Sequence, residues 1–252
     1  MSEFAGLNAV VTGGGRGIGA AIAAALTRGG AHVTVLGRGE SALAARVQAG
    51  EAAAYVRTDV TNAPSFEAIM AKIAAAGAVD ILVNNAGAAA SAPFLKTSNA
   101  DFQHMLDVNL MGPVIATRAV LPGMIARKFG RIVNIASTAA LKGYPYVGAY
   151  VAAKHALLGL TRTLALELAK TGVTANAVCP GFTDTDMVRA SVEKIVAKTG
   201  RTSEAARAEL TRANPMGRLI APEEVADAVC FLARRESGSI TGSAITVAGG
   251  EV

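Results

Sequence analysis

Two residues with acid–base chemistry, Tyr150 and Lys154, lie four positions apart in the segment YVAAKHALLGLTRTLALELA. The apolar spacing of this segment predicts a helix, and residues four apart on a helix project from the same face. A phenol with a pKa of about 10 is a poor base at neutral pH, but an ammonium group one turn away stabilises the phenolate and lowers that pKa. The pair therefore suits general acid or base catalysis, although this spacing by itself more often marks a surface pair formed by chance.

A second candidate site is the glycine-rich stretch VVTGGGRGIGA, which follows an apolar run and precedes an alanine-rich segment. Glycines between a strand and a helix allow a phosphate to approach the backbone N–H groups and the positive helix end. One dinucleotide-binding spacing runs over Gly15, Gly17 and Ala20. Another runs over Gly13, Gly17 and Gly19. Either pattern alone is also compatible with an ordinary tight turn.

The end of the second predicted strand, AHVTVLGR, indicates which dinucleotide such a loop would bind. An NAD(H) site normally has Asp or Glu there, to accept hydrogen bonds from the ribose 2′-hydroxyl, but this strand ends in Gly37 and Arg38. A guanidinium makes charge-assisted, bidentate contacts with a 2′-phosphate instead, and Arg16 could contact it from the opposite side. These residues favour NADP(H) over NAD(H), with two solvated surface arginines as the alternative.

Short runs rich in Val and Ile alternate along the chain with longer segments of helical spacing, as expected of βαβ units. The predicted strands are Asn8 to Thr12, His32 to Leu36, Ala53 to Arg57, Ile81 to Asn84, Arg131 to Ala136, Thr174 to Val178 and Ala244 to Val247. The predicted helices are Gly17 to Gly29, Glu40 to Ala49, Pro64 to Ala76, Ala100 to Arg127, Ala149 to Lys170 and Pro222 to Arg234. We therefore predict an α/β fold of the Rossmann type, doubly wound, with a seven-stranded parallel sheet and helices on both faces.

The predicted organisation is a single domain over residues 1–252, since no long polar linker divides the chain. Residues 1–130 or so would form the cofactor half, and residues 131–252 the catalytic and substrate half. The stretch 182–216 is more charged and less regular, and it follows a predicted strand, where open α/β sheets place their ligand crevice. We therefore predict a lid there.

Composition argues against several classes of function. The net charge is +5, from 24 basic and 19 acidic residues without a polybasic run, so we expect no nucleic-acid partner. Cys179 and Cys230 lie in apolar segments without metal-ligand spacing, which predicts buried thiols and no metal site. The segment MSEFAGLNAVVTG lacks signal-peptide features and no window reaches about 18 continuous apolar residues, so we expect a cytoplasmic protein outside the membrane.

Several motifs, in order along the chain, resemble those of the short-chain dehydrogenase/reductase family, and the resemblance covers essentially the whole sequence. Thr12-Gly13-x-x-x-Gly17-x-Gly19 resembles the family's cofactor loop, and Asp59-Val60 resembles its adenine-contacting pair. Asn84-Asn85-Ala86-Gly87 is similar to its motif after the fourth strand. Pro180-Gly181 with Thr185 is similar to its nicotinamide-carboxamide segment. The family's catalytic tetrad is similar, in order and spacing, to Asn109, Ser137, Tyr150 and Lys154.

The resemblance implies a mechanism. Hydride would pass between nicotinamide C4 and a carbonyl carbon while Tyr150 exchanges a proton with the oxygen, which Ser137 would hydrogen-bond. Lys154 would hold the ribose and lower the Tyr150 pKa, and Asn109 would anchor a water that links Lys154 to solvent. Alternatively, Ser137 caps a loop and Asn109 bridges helix backbone groups. The expected cofactor-binding residues are Thr12, Gly13, Arg16, Gly17, Ile18, Gly19, Arg38, Asp59, Val60, Asn85, Ala86, Gly87, Tyr150, Lys154, Pro180, Gly181, Thr183 and Thr185.

The segments expected around the substrate contain mostly small or apolar residues, which suit an apolar or acyl substrate. The expected pocket residues are Phe94, Leu141, Tyr144, Tyr146, Phe182 and Met187, although Phe94 and Leu141 could equally be core. The segments CPGFTDTDM and PMGRLIAPEEVADAVCFLA resemble the branch of the family that contains 3-oxoacyl-thioester reductases and ketoreductases.

Three functions stay open at this point. The first is NADP(H)-dependent reduction of a ketone or 3-oxoacyl thioester with Tyr150 as general acid. The second is an NAD(H)-linked secondary-alcohol dehydrogenase working in the oxidative direction, against which Gly37 and Arg38 argue. The third is a non-catalytic nucleotide-binding protein, against which the intact tetrad argues. By resemblance we also expect a homotetramer, assembled through the two long helices, the last strand and the C-terminal tail.

Overall fold

Parallel strands form the centre of the protein in the computed structural model, which describes residues 2–252 apart from the side chains of residues 194, 195 and 198. The strands of its seven-stranded sheet are β1 (Asn8–Thr12), β2 (His32–Gly37), β3 (Ala54–Arg57), β4 (Ile81–Asn84), β5 (Gly130–Ile135), β6 (Val173–Pro180) and β7 (Ala244–Val247). They lie in the order β3-β2-β1-β4-β5-β6-β7. The strand order reverses between β1 and β4, which is where open α/β sheets bind ligands.

Helices cover both faces of this sheet, so the predicted doubly wound architecture is confirmed. They are α1 (Gly17–Arg28), α2 (Glu40–Gln48), α3 (Ala63–Ala76), α4 (Asn99–Leu106), α5 (Gly112–Ala126), α6 (Gly148–Leu168), α7 (Asp186–Thr199), α8 (Ser203–Thr211) and α9 (Pro222–Ala233). Val11 of β1 packs in a core layer with α1 and α9. Its neighbour Val10 points to the opposite face and packs with α3 and α5, because successive side chains of a strand alternate.

The predicted helix from Ala100 to Arg127 is wrong in one respect, because a π-helical turn at Asp107–Met111 separates α4 from α5. Pro113, which has no N–H to donate, lies just beyond this turn in the first turn of α5. The turn contains Asn109, so the interruption falls at a candidate catalytic residue. π-turns inside helices are frequent at functional sites.

The stretch Asn99–Ala126 is long and apolar enough to cross a bilayer by length and composition, with a mean hydropathy of 1.3. Half of its most apolar window is nevertheless buried inside the protein, where α5 packs against the sheet and α3. We therefore interpret it as a core helix of the fold.

The stretch 182–216, which the sequence predicts to be an irregular lid, contains the helices α7 and α8.

Candidate active site

The glycine loop is tied to the loop after β4 through Thr12 and Asn85. The buried Thr12 hydroxyl accepts the backbone N–H groups of Asn85 and Ala86, each at 3.0 Å. In return, Asn85 Nδ2 donates to the carbonyl oxygens of Thr12 and Gly13 at 3.0 and 3.1 Å. The two loops at the strand-order reversal therefore form one hydrogen-bonded unit.

The backbone requires the glycine spacing over Gly13, Gly17 and Gly19. Gly13 and Gly17 have φ angles of 66° and 51°, a region that favours glycine. A Cβ atom at Gly19 would lie 2.2 Å from the Gly13 carbonyl oxygen, which no real contact allows. A Cβ atom at Gly15 would meet its nearest neighbours at 3.4 Å, an ordinary contact distance. The alternative spacing that starts at Gly15 is therefore not imposed by the fold.

The start of α1 is suited to an anion. Its N-cap residue, Arg16, makes no side-chain cap hydrogen bond, and the first turn, which includes Ile18, contains no acidic residue. The N–H groups of this turn have no partner within the helix and point toward the crevice end of the loop. Closely packed glycines and an uncapped helix end together fit the pyrophosphate of a dinucleotide.

The two arginines expected at a 2′-phosphate interact with different carboxylates. Arg16 is exposed, and its Nη1 lies 3.7 Å from Oδ2 of Asp186, the first residue of α7. Arg38 follows β2, and its charge interacts with the Asp59 carboxylate. Burial raises the pKa of the Asp59 carboxyl, but hydrogen bonds from Thr61 and the charge of Arg38 outweigh it and lower that pKa. Arg38 thus lies near the expected adenine-contacting pair, whereas Arg16 pairs with the lid.

The turn after β6 connects the sheet to the lid through residues expected at the cofactor. Pro180 ends β6, and Gly181 donates its N–H to Val247 in β7. The buried Thr183 hydroxyl donates to the Gly181 carbonyl at 3.1 Å, and Thr185 donates to the Thr183 carbonyl at 3.2 Å. The Thr185 Cγ2 atom would lie 3.0 Å from a Cβ atom at position 17, so the start of the lid packs directly on the glycine loop.

Three of the four tetrad candidates meet at the end of β5. The Ser137 hydroxyl accepts the Ala139 N–H at 3.1 Å and lies beside the Tyr150 phenol, whose pKa burial raises and this hydroxyl lowers. The buried Lys154 Nζ donates to the Ile135 carbonyl at 2.8 Å and lies 5.7 Å from the centroid of the Tyr150 ring. Ser137 therefore caps the turn after β5, as one alternative predicted, and also contacts Tyr150.

Asn109 joins this group through the segment after β4. Its Nδ2 donates to the carbonyl oxygens of Ala88 and Met105, both at 3.0 Å, and its Oδ1 accepts the Ala88 N–H at 3.4 Å. A Cβ atom at Gly87 would lie 3.0 Å from Asn109 Oδ1 and 3.6 Å from Lys154 Nζ, so glycine leaves space between these side chains. The Asn109 side chain thus bridges backbone groups, the alternative that its sequence position left open.

Comparison with known proteins decides the family. The sequence model of the family described as short chain dehydrogenase matches residues 7–196. The chain belongs to this family. It is an oxidoreductase that acts on a CH–OH or C=O group with a nicotinamide cofactor.

Relatives of this dehydrogenase include proteins from the expected branch. The acetoacetyl-CoA reductase of Shinella zoogloeoides is 41% identical over 244 residues, which cover 96% of this chain and 97% of that protein. The D-beta-hydroxybutyrate dehydrogenase of Cupriavidus necator is 38% identical over 253 residues, 98% of each chain. A crystal structure of an actinorhodin polyketide ketoreductase variant with NADPH has a TM-score of 0.92 at 37% identity and covers 97% of each chain. The predicted resemblance to ketoreductases is confirmed.

The acid–base state of Tyr150 in this dehydrogenase differs from the sequence-based expectation. Burial raises the Tyr150 pKa, and the smaller opposite effect of the Ser137 hydrogen bond leaves it above its ordinary value. Burial also lowers the Lys154 pKa to about 8. The expected lowering of the Tyr150 pKa by Lys154 is therefore wrong for the protein by itself, because desolvation of the phenol dominates. Tyr150 is protonated at neutral pH, which is the state of a general acid.

A thiol lies beside the tetrad of the dehydrogenase. Cys179 of β6 is fully buried, as predicted, and its sulfur lies beside the Ser137 backbone, which lowers the pKa of the thiol less than burial raises it. Burial raises the pKa of this thiol, so it is neutral at pH 7. Cys230 is only partly buried, which corrects the prediction for that residue. The sequence did not predict that Cys179 lies beside Ser137 and Lys154, because an apolar strand segment gives no signal of such a contact.

The expected pocket residues divide into exposed and packed side chains. Phe94, Tyr146 and Met187 are 76%, 67% and 46% exposed, and Tyr146 has a φ of 67°, which is uncommon outside glycine. Leu141 instead packs against a buried cluster that includes Cys179. Of the two residues that could equally be core, Leu141 therefore belongs to the core and Phe94 to the surface.

Tyr144 and Phe182 contact each other edge to face, with ring centroids 6.4 Å apart. The Tyr144 hydroxyl hydrogen-bonds the Thr138 hydroxyl at 2.6 Å and the carboxylate of Glu251. Sequence reasoning missed Glu251 altogether, since 107 residues separate it from Tyr144 and no motif joins them.

Proposed function

We propose that this dehydrogenase reduces a ketone with NADPH, that Tyr150 is its general acid, and that its substrates are 3-oxoacyl thioesters. One observation carries the proposal: the partly buried Tyr150 phenol has a raised pKa and lies beside both Ser137 and Lys154. A protonated phenol in this position can give its proton to a carbonyl oxygen as that oxygen becomes an alkoxide.

NADP(H) fits the residues at the carboxyl edge of the sheet. The first-turn N–H groups of α1 and the glycine loop would hold the pyrophosphate, and Arg16 and Arg38 would supply positive charge for the 2′-phosphate. The solved ketoreductase of the same fold contains NADPH, which supports this choice. Further cofactor contacts are assigned to Thr12, Gly13, Gly17, Ile18, Gly19, Asp59, Val60, Asn85, Ala86, Gly87, Pro180, Gly181, Thr183 and Thr185.

In the proposed reaction, the nicotinamide supplies the hydride that reaches the carbonyl carbon. Tyr150 donates its proton to the carbonyl oxygen, which Ser137 positions by a second hydrogen bond. The Lys154 ammonium, 5.7 Å from the phenol ring, stabilises the phenolate that remains and would hold the ribose hydroxyls. Asn109 fixes the segment after β4 through its bonds to Ala88. The phenolate then regains a proton from solvent.

Two observations support a 3-oxoacyl thioester as substrate. The exposed apolar side chains of Phe94, Tyr146 and Met187 come from three of the segments expected around the pocket and could contact an acyl chain. The relative from Shinella zoogloeoides is named for acetoacetyl-CoA, which is such a thioester.

The hydroxybutyrate dehydrogenase relative favours a second candidate, oxidation of a secondary alcohol with NAD(H). Oxidation requires Tyr150 as phenolate, and the raised Tyr150 pKa opposes that form at neutral pH. Arg38 opposes NAD(H), since it cannot accept a hydrogen bond from a ribose hydroxyl. A non-catalytic nucleotide-binding role is opposed by the tetrad side chains, which are assembled around Lys154.

The test is a matrix of cofactors and substrates followed by absorbance at the nicotinamide band. Acetoacetyl-CoA and simple ketones are offered with NADPH or NADH, and 3-hydroxybutyrate and simple alcohols with the oxidised cofactors. We expect the highest kcat/KM with NADPH and acetoacetyl-CoA. Faster oxidation of 3-hydroxybutyrate with the NAD form would favour the second candidate, and cofactor binding without turnover would favour the third.

The role of Tyr150 is tested with Tyr150→Phe, which keeps the ring and removes the proton donor. We expect kcat to fall about 10³-fold, because general acid catalysis contributes on that order, while NADPH binding is retained. Tyr55→Phe, at a half-exposed tyrosine of β3, is the matched control and should keep full activity. Wild-type turnover by Tyr150→Phe would refute the assignment.

The same proposal includes a homotetramer formed through the helices α4 to α6, the last strand and the C-terminal tail. Leu166 of α6 is 82% exposed, and Met111 and Ile125 on the neighbouring helical stretch are about 40% exposed. Such side chains are typical of surfaces that another subunit covers. Light scattering should give about four times the mass of one chain, and a monomer would contradict this assembly.

A further inference from the structure

The C-terminal tail places a buried carboxylate against the catalytic corner. The Glu251 side chain is 1% exposed, and its Oε1 lies 3.2 Å from Lys142 Nζ. Lys142 Nζ also donates to the Glu251 carbonyl oxygen at 3.1 Å. The Tyr144 hydroxyl donates its single proton to the same carboxylate. Both partners lie in the loop between Ser137 and Tyr150, so the tail holds this loop at two points.

The second carboxylate oxygen of Glu251 faces the turn after β6. A Cβ atom at Gly181 would lie 3.2 Å from Glu251 Oε2, so the carboxylate lies directly on this turn. The next residue, Phe182, contacts the Tyr144 ring, and the Tyr144 hydroxyl contacts Thr138, which follows Ser137. One carboxylate therefore connects the tail, the loop before α6 and the turn that leads to the lid.

The hydrogen bonds and charges of Glu251, Lys142 and Tyr144 hold these three side chains in a fixed arrangement. Burial and the hydrogen bond to Glu251 raise the pKa of Tyr144, so its hydroxyl stays a donor at every pH the protein meets. Lys142 is 35% exposed but the Glu251 side chain is only 1% exposed, so the desolvated carboxylate depends on Lys142 and Tyr144 as its partners. Without the Glu251 carboxylate, the Tyr144 hydroxyl would keep only Thr138, Lys142 would lose its ion pair, and the loop would lose these contacts with the tail.

We propose that Glu251 is a positioning residue for the substrate, acting through Tyr144. By holding the Tyr144 ring against Phe182, it fixes one wall of the substrate site beside Ser137. The inference rests on the proposed reduction of a ketone, because it assigns the wall to the carbonyl substrate. It predicts that Glu251 affects the KM for the ketone and leaves NADPH binding and kcat nearly unchanged.

The kinetic test compares Glu251→Gln, Tyr144→Phe and the double variant. We expect each single variant to raise the KM for acetoacetyl-CoA about tenfold, as for the loss of one charge-assisted hydrogen bond. The double variant should be no worse than either single one, because both remove the same contact. The NADPH Kd, from cofactor fluorescence, should change less than about twofold. Glu67→Gln, an exposed carboxylate on α3, is the control for the charge change.

A second measurement does not depend on turnover. A protease cleaves a locally unfolded segment faster than a folded one, so the rate of tryptic cleavage after Lys142, followed by mass spectrometry of the fragments, reports how firmly the tail holds the loop. Cleavage there should be about tenfold faster in Glu251→Gln than in the wild type or Glu67→Gln. If Glu251→Gln does not fold, Tyr144→Phe carries the same comparison.

The outcomes separate the two proposals. A wild-type protein that reduces no ketone refutes the proposed function, and the trypsin result then still decides whether Glu251 holds the loop. Three results for Glu251→Gln would each overturn the role of Glu251. They are a cleavage rate equal to that of the wild type, an unchanged KM for the ketone in an active enzyme, and a loss of NADPH affinity as large as the rise in the ketone KM. A lowered melting temperature with unchanged KM would show a purely structural role and would overturn it as well.

Discussion

Arg16 at the glycine loop and Asp186 at the start of the lid form an ion pair, with 3.7 Å between Nη1 and Oδ2. Asp186 also pairs with Arg189, whose hydrogen bond lowers the pKa of the Asp186 carboxyl. An ionised carboxylate beside Arg16 opposes a 2′-phosphate that approaches the same guanidinium. If Arg16 binds the 2′-phosphate as proposed, Asp186 of α7 and the cofactor phosphate would compete for it.

The first prediction follows from this competition. Asp186→Asn should lower the Kd for NADPH about twofold at low salt, a small effect because both side chains are exposed and screened. The gain should disappear near 0.5 M salt, where the Debye length is only a few ångströms. Titrations followed by cofactor fluorescence give both values. Asp184→Asn, which removes a carboxylate paired with Arg189 instead, should leave the Kd unchanged, and equal effects of the two variants would contradict the model of competition.

A second prediction distinguishes the two glycine spacings. Gly19→Ala should weaken NADPH binding by more than about tenfold, because its Cβ atom would lie 2.2 Å from the Gly13 carbonyl and displace the loop. Gly15→Ala should keep binding within about threefold, since its Cβ atom has room. Cofactor Kd and melting temperature of both variants provide the check. Equal losses would show that the loop tolerates neither side chain, contrary to the geometry.

The third prediction concerns cofactor choice. Arg38→Asp replaces a donor for the 2′-phosphate with an acceptor for the ribose hydroxyl, so the ratio of kcat/KM for NADPH to that for NADH should fall by about 100-fold. Arg118→Asp, at an exposed arginine of α5, makes the same charge change away from the crevice and should leave the ratio unaltered. A ratio that stays constant in Arg38→Asp would remove this residue from the 2′-phosphate site.

A fourth prediction uses the lowered pKa of Lys154. Burial brings this pKa to about 8 in the folded protein, against an ordinary 10.5, so the folded state releases the Lys154 proton before the unfolded state does. The energetic penalty for the buried charge is fully present below pH 8 and is relieved as pH rises toward 10.5. The stability of the wild type relative to Lys154→Met should therefore increase from pH 8 to pH 10, by at most about 1.4 kcal/mol per pH unit. Urea unfolding of both proteins measures this difference, and a flat difference would mean that Lys154 titrates normally.

The sequence was sufficient for the sheet, because its strands are short apolar segments that contain Val or Ile and alternate with longer segments of helical spacing. It was insufficient for the break between α4 and α5, where Asn109 in the π-turn bonds to Ala88, a residue of another segment, because no local pattern predicts that contact. The lid helices were missed because their composition is polar.

The motif predicts the tetrad, but the acid–base state of its members depends on burial that the spacing does not reveal. Tyr150 and Lys154 show this: the sequence places them on one helix face, whereas the direction of each pKa comes from desolvation in the folded protein. Likewise, no local sequence pattern predicts the contact of Arg16 with Asp186 or that of Tyr144 with Glu251, because each joins residues more than one hundred positions apart.

The bonds between Thr12 and Asn85 join residues 73 positions apart, and they complete the loop that the cofactor is proposed to occupy. A chain that has folded only its first β-α-β unit would present the glycine run with the Thr12 hydroxyl unsatisfied and the loop unbraced. The protein would then bind the dinucleotide only late in folding, after β4 has paired with β1. The cofactor would select completely folded molecules, and its presence during refolding should raise the yield of native protein without accelerating the earliest steps.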